Sequence, residues 1–157
     1  MIKIISVGKI KEDYLKKGID EYLKRLSKYT KVEVVELKDL PLKDNMSENE
    51  IKKVLDEEGK DILSKINNNE YIIALDRLGK SMSSIEFSKK IESIYNQYPN
   101  ITFIIGSSYG LSKEVLDKAH YLLSFSAFTF PHQLFKLILL EQIFRAYKIL
   151  NNETYNK

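Results

Sequence analysis

The sequence predicts an α/β fold in which a mostly parallel sheet is covered by helices on both faces. Strand-like and helix-like segments alternate five times along the 157 residues, which is typical of this class. Two strand-like segments, residues 71–75 and 101–105, are continuous apolar runs, as expected for parallel strands buried on both sides. No repeat, low-complexity stretch or linker interrupts the alternation. Residues 1–157 are therefore predicted to form a single domain.

The first half of the chain supplies two strand–helix pairs. Residues 2–7 are β-branched and end before a glycine, which predicts a strand. Residues 11–29 carry apolar side chains at three- and four-residue spacing, which predicts an amphipathic helix. Residues 31–38 alternate apolar and charged and predict a second strand. A serine followed three residues later by Glu50 has the spacing of a capping box, so a helix is predicted over residues 47–66.

The second half continues the same alternation. The buried strand 71–75 leads into a polar loop, residues 76–82, and a second capping-box sequence opens a helix over residues 83–98. The buried strand 101–105 is followed by a glycine-containing loop and a short helix over residues 112–119. A fifth strand is predicted over residues 121–125.

The chain closes with a long apolar helix over residues 131–150, for which Pro131 marks the start. A core stripe is predicted from Leu134, Leu137, Ile138, Ile143 and Tyr147. Further apolar side chains then need cover from elsewhere: Phe135, Leu139, Leu140, Phe144, Ile149 and Leu150. A helix that is apolar nearly all round is buried on several sides, and a second copy of the chain is the simplest cover. A membrane span is not expected, because charged residues interrupt the helix.

Composition narrows the class of protein. The chain has no cysteine, which excludes disulfides, thiolate metal sites and cysteine nucleophiles, and no His/Asp/Glu cluster has the spacing of metal ligands. No signal peptide is visible, so a cytoplasmic location is expected. The net charge of +3 does not demand a nucleic-acid partner, but basic residues recur over residues 9–31. That run is either a solvated helix face or a phosphate-contacting surface.

Three of the predicted strand ends are candidates for a binding crevice, because ligands of open α/β sheets bind beyond the carboxyl ends of the strands. They are Leu75, Gly106 and the segment Phe125, Ser126, Ala127, Phe128, Thr129, Phe130. The glycine loop lacks both the dinucleotide and the P-loop pattern. Apolar and small residues without a pyrophosphate motif suit S-adenosylmethionine, whose adenine and ribose need apolar walls and backbone hydrogen bonds.

Two side chains of the long helix are further candidates. His132 lies at the mouth of the predicted crevice, where it either ties down the turn or faces a ligand. Arg145 either forms a helical i,i+4 pair with Glu141 or reaches a substrate. His120, before the last strand, is expected at the surface.

Taken in order, several motifs of this chain resemble one family. They are Val7-Gly8-Lys9, Gly18-Ile19-Asp20-Glu21-Tyr22, Lys24-Arg25-Leu26, Leu75-Asp76 through Gly79-Lys80, Ile105-Gly106 through Gly110-Leu111-Ser112, Leu123 through Ser126, Thr129-Phe130-Pro131-His132, and Glu141-Gln142 through Ile149. Together they cover the chain and are similar to the bacterial 23S ribosomal RNA methyltransferases of the SPOUT superfamily that act on N3 of a pseudouridine.

The resemblance implies a C-terminal trefoil knot, a homodimer, the cofactor S-adenosylmethionine and a pseudouridine substrate in helix 69 of the assembled ribosome. It places cofactor contacts at the three strand ends named above. For the methyl transfer we hypothesise that His132 and Arg145 shape the catalytic pocket, with Tyr155 and Lys157 arriving from the C-terminal tail. By pattern alone, the polar tail 151–157 is expected to be disordered unless something holds it.

The chain departs from the family pattern at two positions. Ser107 stands where the family has a second glycine, and it is expected to tighten the pocket slightly. Asn156 stands where the family has a histidine, and an asparagine cannot exchange a proton near neutral pH. Two alternative functions remain at this point: a non-catalytic ribosome- or RNA-binding module, and a knotted-fold transfer RNA methyltransferase.

Overall fold

The computed structural model describes all 157 residues and contains one five-stranded, fully parallel sheet. The strands lie in the order β2-β1-β4-β3-β5. Their bounds are β1 Ile2–Val7, β2 Val32–Leu37, β3 Glu70–Lys80, β4 Asn100–Ile105 and β5 Tyr121–Leu123. The predicted α/β class is confirmed, and β2 and β5 occupy the two edges of the sheet.

Helices cover both faces of this sheet. They are α1 Asp13–Leu26, α2 Glu48–Ser64, α3 Ser84–Tyr95, α4 Lys113–Lys118 and α5 His132–Leu150. Successive residues of a strand point to opposite faces, so β1 places Ile2 and Ile4 in a core with α1, α3 and α5. It places Ile5 and Val7 in a second core with α2 and α4.

The predicted helix starts agree with the observed caps. The Ser47 hydroxyl accepts a hydrogen bond from the Glu50 amide, and the Glu50 carboxylate accepts one from the Ser47 amide, so the first capping box is complete. Ser83 and Ser112 also accept from amides in the first turns of α3 and α4. Pro131 lies directly before α5, as predicted.

The end of β3 differs from the prediction. The loop expected at residues 76–82 is part of the strand as far as Lys80, and both Leu75 and Lys80 pair with Leu123 across an irregular register. Gly79 allows this close pairing, because a Cβ there would lie 2.5 Å from the Leu122 carbonyl oxygen. The side chains of residues 76–80 are mostly polar and gave no strand pattern, but backbone pairing does not require apolar residues. Strand β5 is shorter than predicted and ends at Leu123 rather than at residue 125.

The burial of α5 also corrects the prediction. Leu139 and Leu140 are completely buried and Phe144 is 5% exposed within the single chain, so none of the three needs a partner to cover it. The reason is that α1 and α3 both pack against α5 on the same face of the sheet. Of the predicted core stripe only Ile143 is buried, and the other four side chains are half-buried: Leu134, Leu137, Ile138 and Tyr147. None of the five helices combines the length and the hydropathy of a membrane span. The knot implied by the resemblance stays a prediction.

A buried ion pair connects three strands at their amino ends. The Lys3 ammonium and the Glu70 carboxylate are 2.5 Å apart, and both side chains are almost fully buried. Glu70 also accepts from the Thr102 hydroxyl at 3.0 Å and from the Asn67 amide at 3.3 Å. A buried charge is tolerated when it is paired and hydrogen-bonded in this way.

Candidate functional site

The carboxyl ends of three neighbouring strands, β4, β3 and β5, bring together the loops that the sequence singled out. The backbone amide of Ser124 donates to the Lys80 carbonyl at 2.9 Å. The Arg77 guanidinium donates to the Thr129 hydroxyl at 3.1 Å. Leu75 lies beside Leu123 in the same register. The end of β3 is thus joined directly to the segment that follows β5, as the crevice hypothesis requires.

The loop after β4 is folded tightly on itself. The Gly110 amide donates to the Ser107 carbonyl at 2.9 Å, and Gly110 has a positive φ of 93° that favours glycine. A Cβ on Gly106 would lie 2.3 Å from the Gly110 carbonyl oxygen and 2.9 Å from the Leu111 side chain. Gly106 is therefore required by its own loop, independently of any ligand.

Residues 125–130 lie in an irregular segment that leaves main-chain groups available. The Ser126 hydroxyl accepts from the Phe128 amide at 3.0 Å, whereas the amides of Ala127, Thr129 and Phe130 donate no hydrogen bond within the chain. Such amides can recognise an adenine or a ribose through the backbone, as the sequence-based hypothesis requires.

The aromatic side chains of this segment divide into two groups. The rings of Phe125 and Phe130 pack against Phe135 of α5, with centroids 6.0 Å and 5.6 Å away. The Phe128 side chain is 75% exposed. The packed rings fix the segment to α5, and the exposed ring is free to contact a ligand or a partner.

A cavity of about 200 Å³ adjoins this segment. It lies between the start of α3, the end of β5 and the middle of α5, and Phe125 is the only member of the predicted cofactor segment that lines it. On its wall the Ser84 hydroxyl donates to the Gln142 side-chain oxygen at 2.7 Å. Its polar lining distinguishes it from the apolar cores on either side of the sheet.

His132 lies at the carboxyl ends of β1 and β4, as the first residue of α5. The His132 Nε2 and the Asp39 Oδ2 are 3.5 Å and 3.8 Å from the position that a Cβ on Gly8 would occupy. His132 also lines a cavity of about 10 Å³, together with Ser6, whose buried hydroxyl has no hydrogen-bond partner. A cavity of this size accommodates one water molecule.

Arg145 lies near the opposite end of α5 and is held in a network. Its Nε donates to Glu141 Oε1 at 3.0 Å, its Nη1 donates to Asn156 Oδ1 at 3.1 Å, and the guanidinium stacks on the Tyr155 ring at 4.7 Å. The helical pair with Glu141, one of the two readings that the sequence allowed, is therefore present. Thirteen residues at 1.5 Å each separate His132 from Arg145 by about 20 Å along the helix.

The C-terminal tail packs on its own chain. Tyr155 contacts the Phe144 ring edge-on at 5.0 Å and donates to Glu141 Oε1 at 3.1 Å. Burial raises the pKa of Tyr155, so its hydroxyl stays protonated. The Glu153 carboxylate accepts from the Tyr29 hydroxyl at 2.8 Å. Lys157 is exposed and makes no hydrogen bond. The side chains of Glu153 and Tyr155 thus hold the tail against its own chain.

Sequence reasoning missed the Glu58 carboxylate, which is 5% exposed on α2. It accepts a hydrogen bond from the Ser107 hydroxyl at 2.9 Å, so Ser107 turns its side chain toward α2. One signal in the sequence points to the environment of Glu58: Gly59 in mid-helix indicates close packing, and a Cβ there would lie 2.4 Å from the Ser112 hydroxyl oxygen.

His120 is exposed, as expected. No group of three or more His, Asp or Glu side chains is arranged to hold a metal ion.

Comparison with known proteins gives consistent results. A family model described as a predicted SPOUT methyltransferase matches residues 1–156. The chain is 54% identical over 157 residues to the ribosomal RNA large subunit methyltransferase H of Clostridium perfringens and, equally, to that of Clostridioides difficile, in each case over 99% of both chains. The protein of the same name from Carboxydothermus hydrogenoformans is 52% identical over 158 residues, again covering 99% of each chain.

One solved structure supports the fold. A probable methylase family protein from Haemophilus influenzae superposes with a TM-score of 0.55 at 13% identity, covering 99% of this chain and 70% of the other.

Proposed function

The chain belongs to the SPOUT methyltransferase family, and on that premise we propose that it methylates N3 of a pseudouridine in helix 69 of 23S ribosomal RNA, using S-adenosylmethionine. One observation carries this proposal: an identity of 54% over the full length to relatives named as ribosomal RNA large subunit methyltransferases. The nucleoside, its position and the methyl donor come from the motif resemblance. The ribosome as substrate makes the cytoplasm the expected location.

The cofactor would occupy the crevice beyond β4, β3 and β5. Residues Leu75 and Gly106 would form its walls, and the free amides within 125–130 would bind its polar edge. The cofactor supplies a methyl group on a positively charged sulfur. What the protein adds is orientation, because aligning the acceptor nitrogen with the methyl group accounts for much of the rate of such a transfer.

The acceptor nitrogen of a pseudouridine carries a proton that must leave during the transfer. His132 offers a group that can accept a proton, and its neighbours include the Asp39 carboxylate across Gly8. We assign His132 to the catalytic pocket on this basis.

Arg145 lies about 20 Å from His132 along α5, and Tyr155 packs on Arg145, so these two side chains do not share one pocket with His132 within a single chain. A homodimer would bring these groups together, because the tail of one protomer would reach the pocket around His132 of its partner. The half-buried apolar residues of α5, among them Leu134, Ile138 and Ile149, supply a surface for that contact. A dimer with two composite sites is therefore part of the proposal, with Tyr155 contacting RNA by stacking and Lys157 by charge.

The proposal is tested by transfer of a labelled methyl group to whole ribosomes, isolated 50S subunits, free 23S RNA and transfer RNA. We expect incorporation into assembled ribosomes, at a pseudouridine of helix 69. Incorporation into transfer RNA alone would favour the related knotted enzymes. Absence of any heat on titration with S-adenosylmethionine would favour a non-catalytic RNA-binding module and overturn the proposal.

Mixed dimers test the composite site. A chain lacking residues 151–157 and a Gly106→Val chain are each expected to be inactive as homodimers. In the mixed dimer, the Gly106→Val chain lends its tail to the intact pocket of the other chain, so up to one working site should return. Mixed dimers that form but stay inactive would show that the tail does not act across the interface.

A further inference from the structure

A buried carboxylate lies behind the glycine loop and is not used by the mechanism above. Glu58 Oε1 accepts from the Ser107 hydroxyl at 2.9 Å, and Glu58 Oε2 accepts from the Leu40 amide at 3.3 Å. The carboxylate therefore links three elements: α2, the loop after β2, and the loop after β4. Its two hydrogen bonds use both oxygens.

Glu58 differs from the other buried acid in having no ion-pair partner. Glu70 is paired with Lys3, whereas no lysine or arginine forms an ion pair with Glu58. Burial raises the pKa of Glu58, although the bonds from Ser107 and Leu40 oppose the change. A buried carboxylate without an ion-pair partner costs stability unless it is compensated, so Glu58 is better explained by what it holds than by the stability it adds.

What Glu58 holds is the loop that carries Gly106. The loop is closed by the bond from the Gly110 amide to the Ser107 carbonyl, and a side chain at Gly106 would collide with Gly110, so residues 106–110 move as one unit. The Ser107 hydroxyl makes the only side-chain hydrogen bond from this unit to the rest of the protein. A displacement of Ser107 would therefore displace Gly106 with it.

We infer that Glu58 is a positioning residue: through the Ser107 hydroxyl it fixes the orientation of the 106–110 loop and so sets the affinity for S-adenosylmethionine. This rests on the proposed function, because it takes the loop to be part of the cofactor site. It also explains the serine at position 107. Instead of narrowing the pocket, the side chain anchors the loop from behind, which a glycine could not do.

Calorimetric titration with S-adenosylmethionine tests the inference. Removing a hydrogen bond to a buried charged group is expected to weaken binding about tenfold, in Ser107→Ala as in Glu58→Ala. Glu58→Gln keeps an acceptor for the Leu40 amide and a donor for Ser107, so it should bind within about threefold of wild type. Glu57→Ala is the matched control, since Glu57 is the exposed neighbour on α2 and should bind like the wild type.

Two further measurements separate positioning from a general loss of structure. In steady-state assays the KM for S-adenosylmethionine should rise while the KM for ribosomes stays unchanged. The double variant Glu58→Ala/Ser107→Ala should bind no more weakly than Glu58→Ala, because both changes break the same bond. If Glu58→Ala does not fold, Ser107→Ala decides the question alone.

The outcomes are distinguishable. Wild-type protein that shows no heat with S-adenosylmethionine would overturn the proposed function. Wild-type protein that binds, together with a Ser107→Ala variant of equal affinity or with multiplied effects in the double variant, would overturn the positioning role and leave the proposed function standing.

Discussion

Replacing Phe144 by alanine tests whether the middle of α5 belongs to the core of the single chain or to a contact between chains. The side chain is 5% exposed and contacts the rings of Tyr22, Tyr29 and Tyr155 at centroid distances of 5.9 Å, 6.2 Å and 5.0 Å. Phenylalanine-to-alanine changes in cores cost about 3–5 kcal/mol, which includes the cavity left behind. At about 2–4 °C per kcal/mol for a chain of this size, the melting temperature should fall by about 10 °C.

Phe128→Ala is the matched control, since Phe128 is 75% exposed. Its free energy of unfolding should change by less than about 0.5 kcal/mol, as expected for a surface substitution. Both variants are compared by urea unfolding at one protein concentration, because the stability of a dimer depends on concentration. Sedimentation then gives the oligomeric state. If Phe144→Ala unfolds like Phe128→Ala but sediments as a smaller species, the residue belongs to an interface and the packing argument is wrong.

Three further predictions concern the ion pair, the glycine loop and the tail. Burial favours the neutral form of Glu70, but the hydrogen bonds led by Lys3 outweigh burial and lower the pKa of Glu70. The ionised carboxylate therefore contributes its full stabilisation above the ordinary carboxyl pKa of ~4.3. This stabilisation is lost as the pH falls through the lowered pKa. Glu70→Gln should cost about 3 kcal/mol at pH 7, and its deficit should shrink toward low pH in acid unfolding curves; a deficit independent of pH would contradict the assignment. Gly106→Val should abolish S-adenosylmethionine binding because its side chain collides with Gly110, while the circular-dichroism spectrum keeps its helical signal; unchanged affinity would place the cofactor elsewhere. Deletion of residues 151–157 should lower methyl transfer at least tenfold, about 1.4 kcal/mol of transition-state stabilisation, with cofactor affinity retained; a fully active truncated enzyme would remove the tail from the site.

Local features of the sequence were enough for the element order and the helix starts. The capping serines at Ser47 and Ser83 act within one turn of backbone, so their effect is readable from neighbours three residues away. The continuous apolar runs in β3 and β4 reflect burial on both faces, which any parallel sheet imposes. The three candidate strand ends also meet at one edge of the sheet, as parallel pairing requires, and a cofactor crevice there stays a prediction.

What covers a helix face was decided only by the tertiary structure. The sequence shows that α5 is apolar nearly all round, yet it does not show that α1 and α3 lie on either side of it, and so Leu140 and Phe144 were assigned to a partner. Nor does the sequence show what holds the tail: Tyr155 packs on Phe144, a contact that hydrophobic periodicity does not encode.

The polar contacts behind the site were also beyond the sequence. Glu58 and Ser107 are 49 positions apart, and nothing in the pattern of either segment pairs them. Periodicity reports only the direction in which a side chain points from its own element. Which distant group it meets there depends on strand order and loop closure, which are properties of the folded chain as a whole.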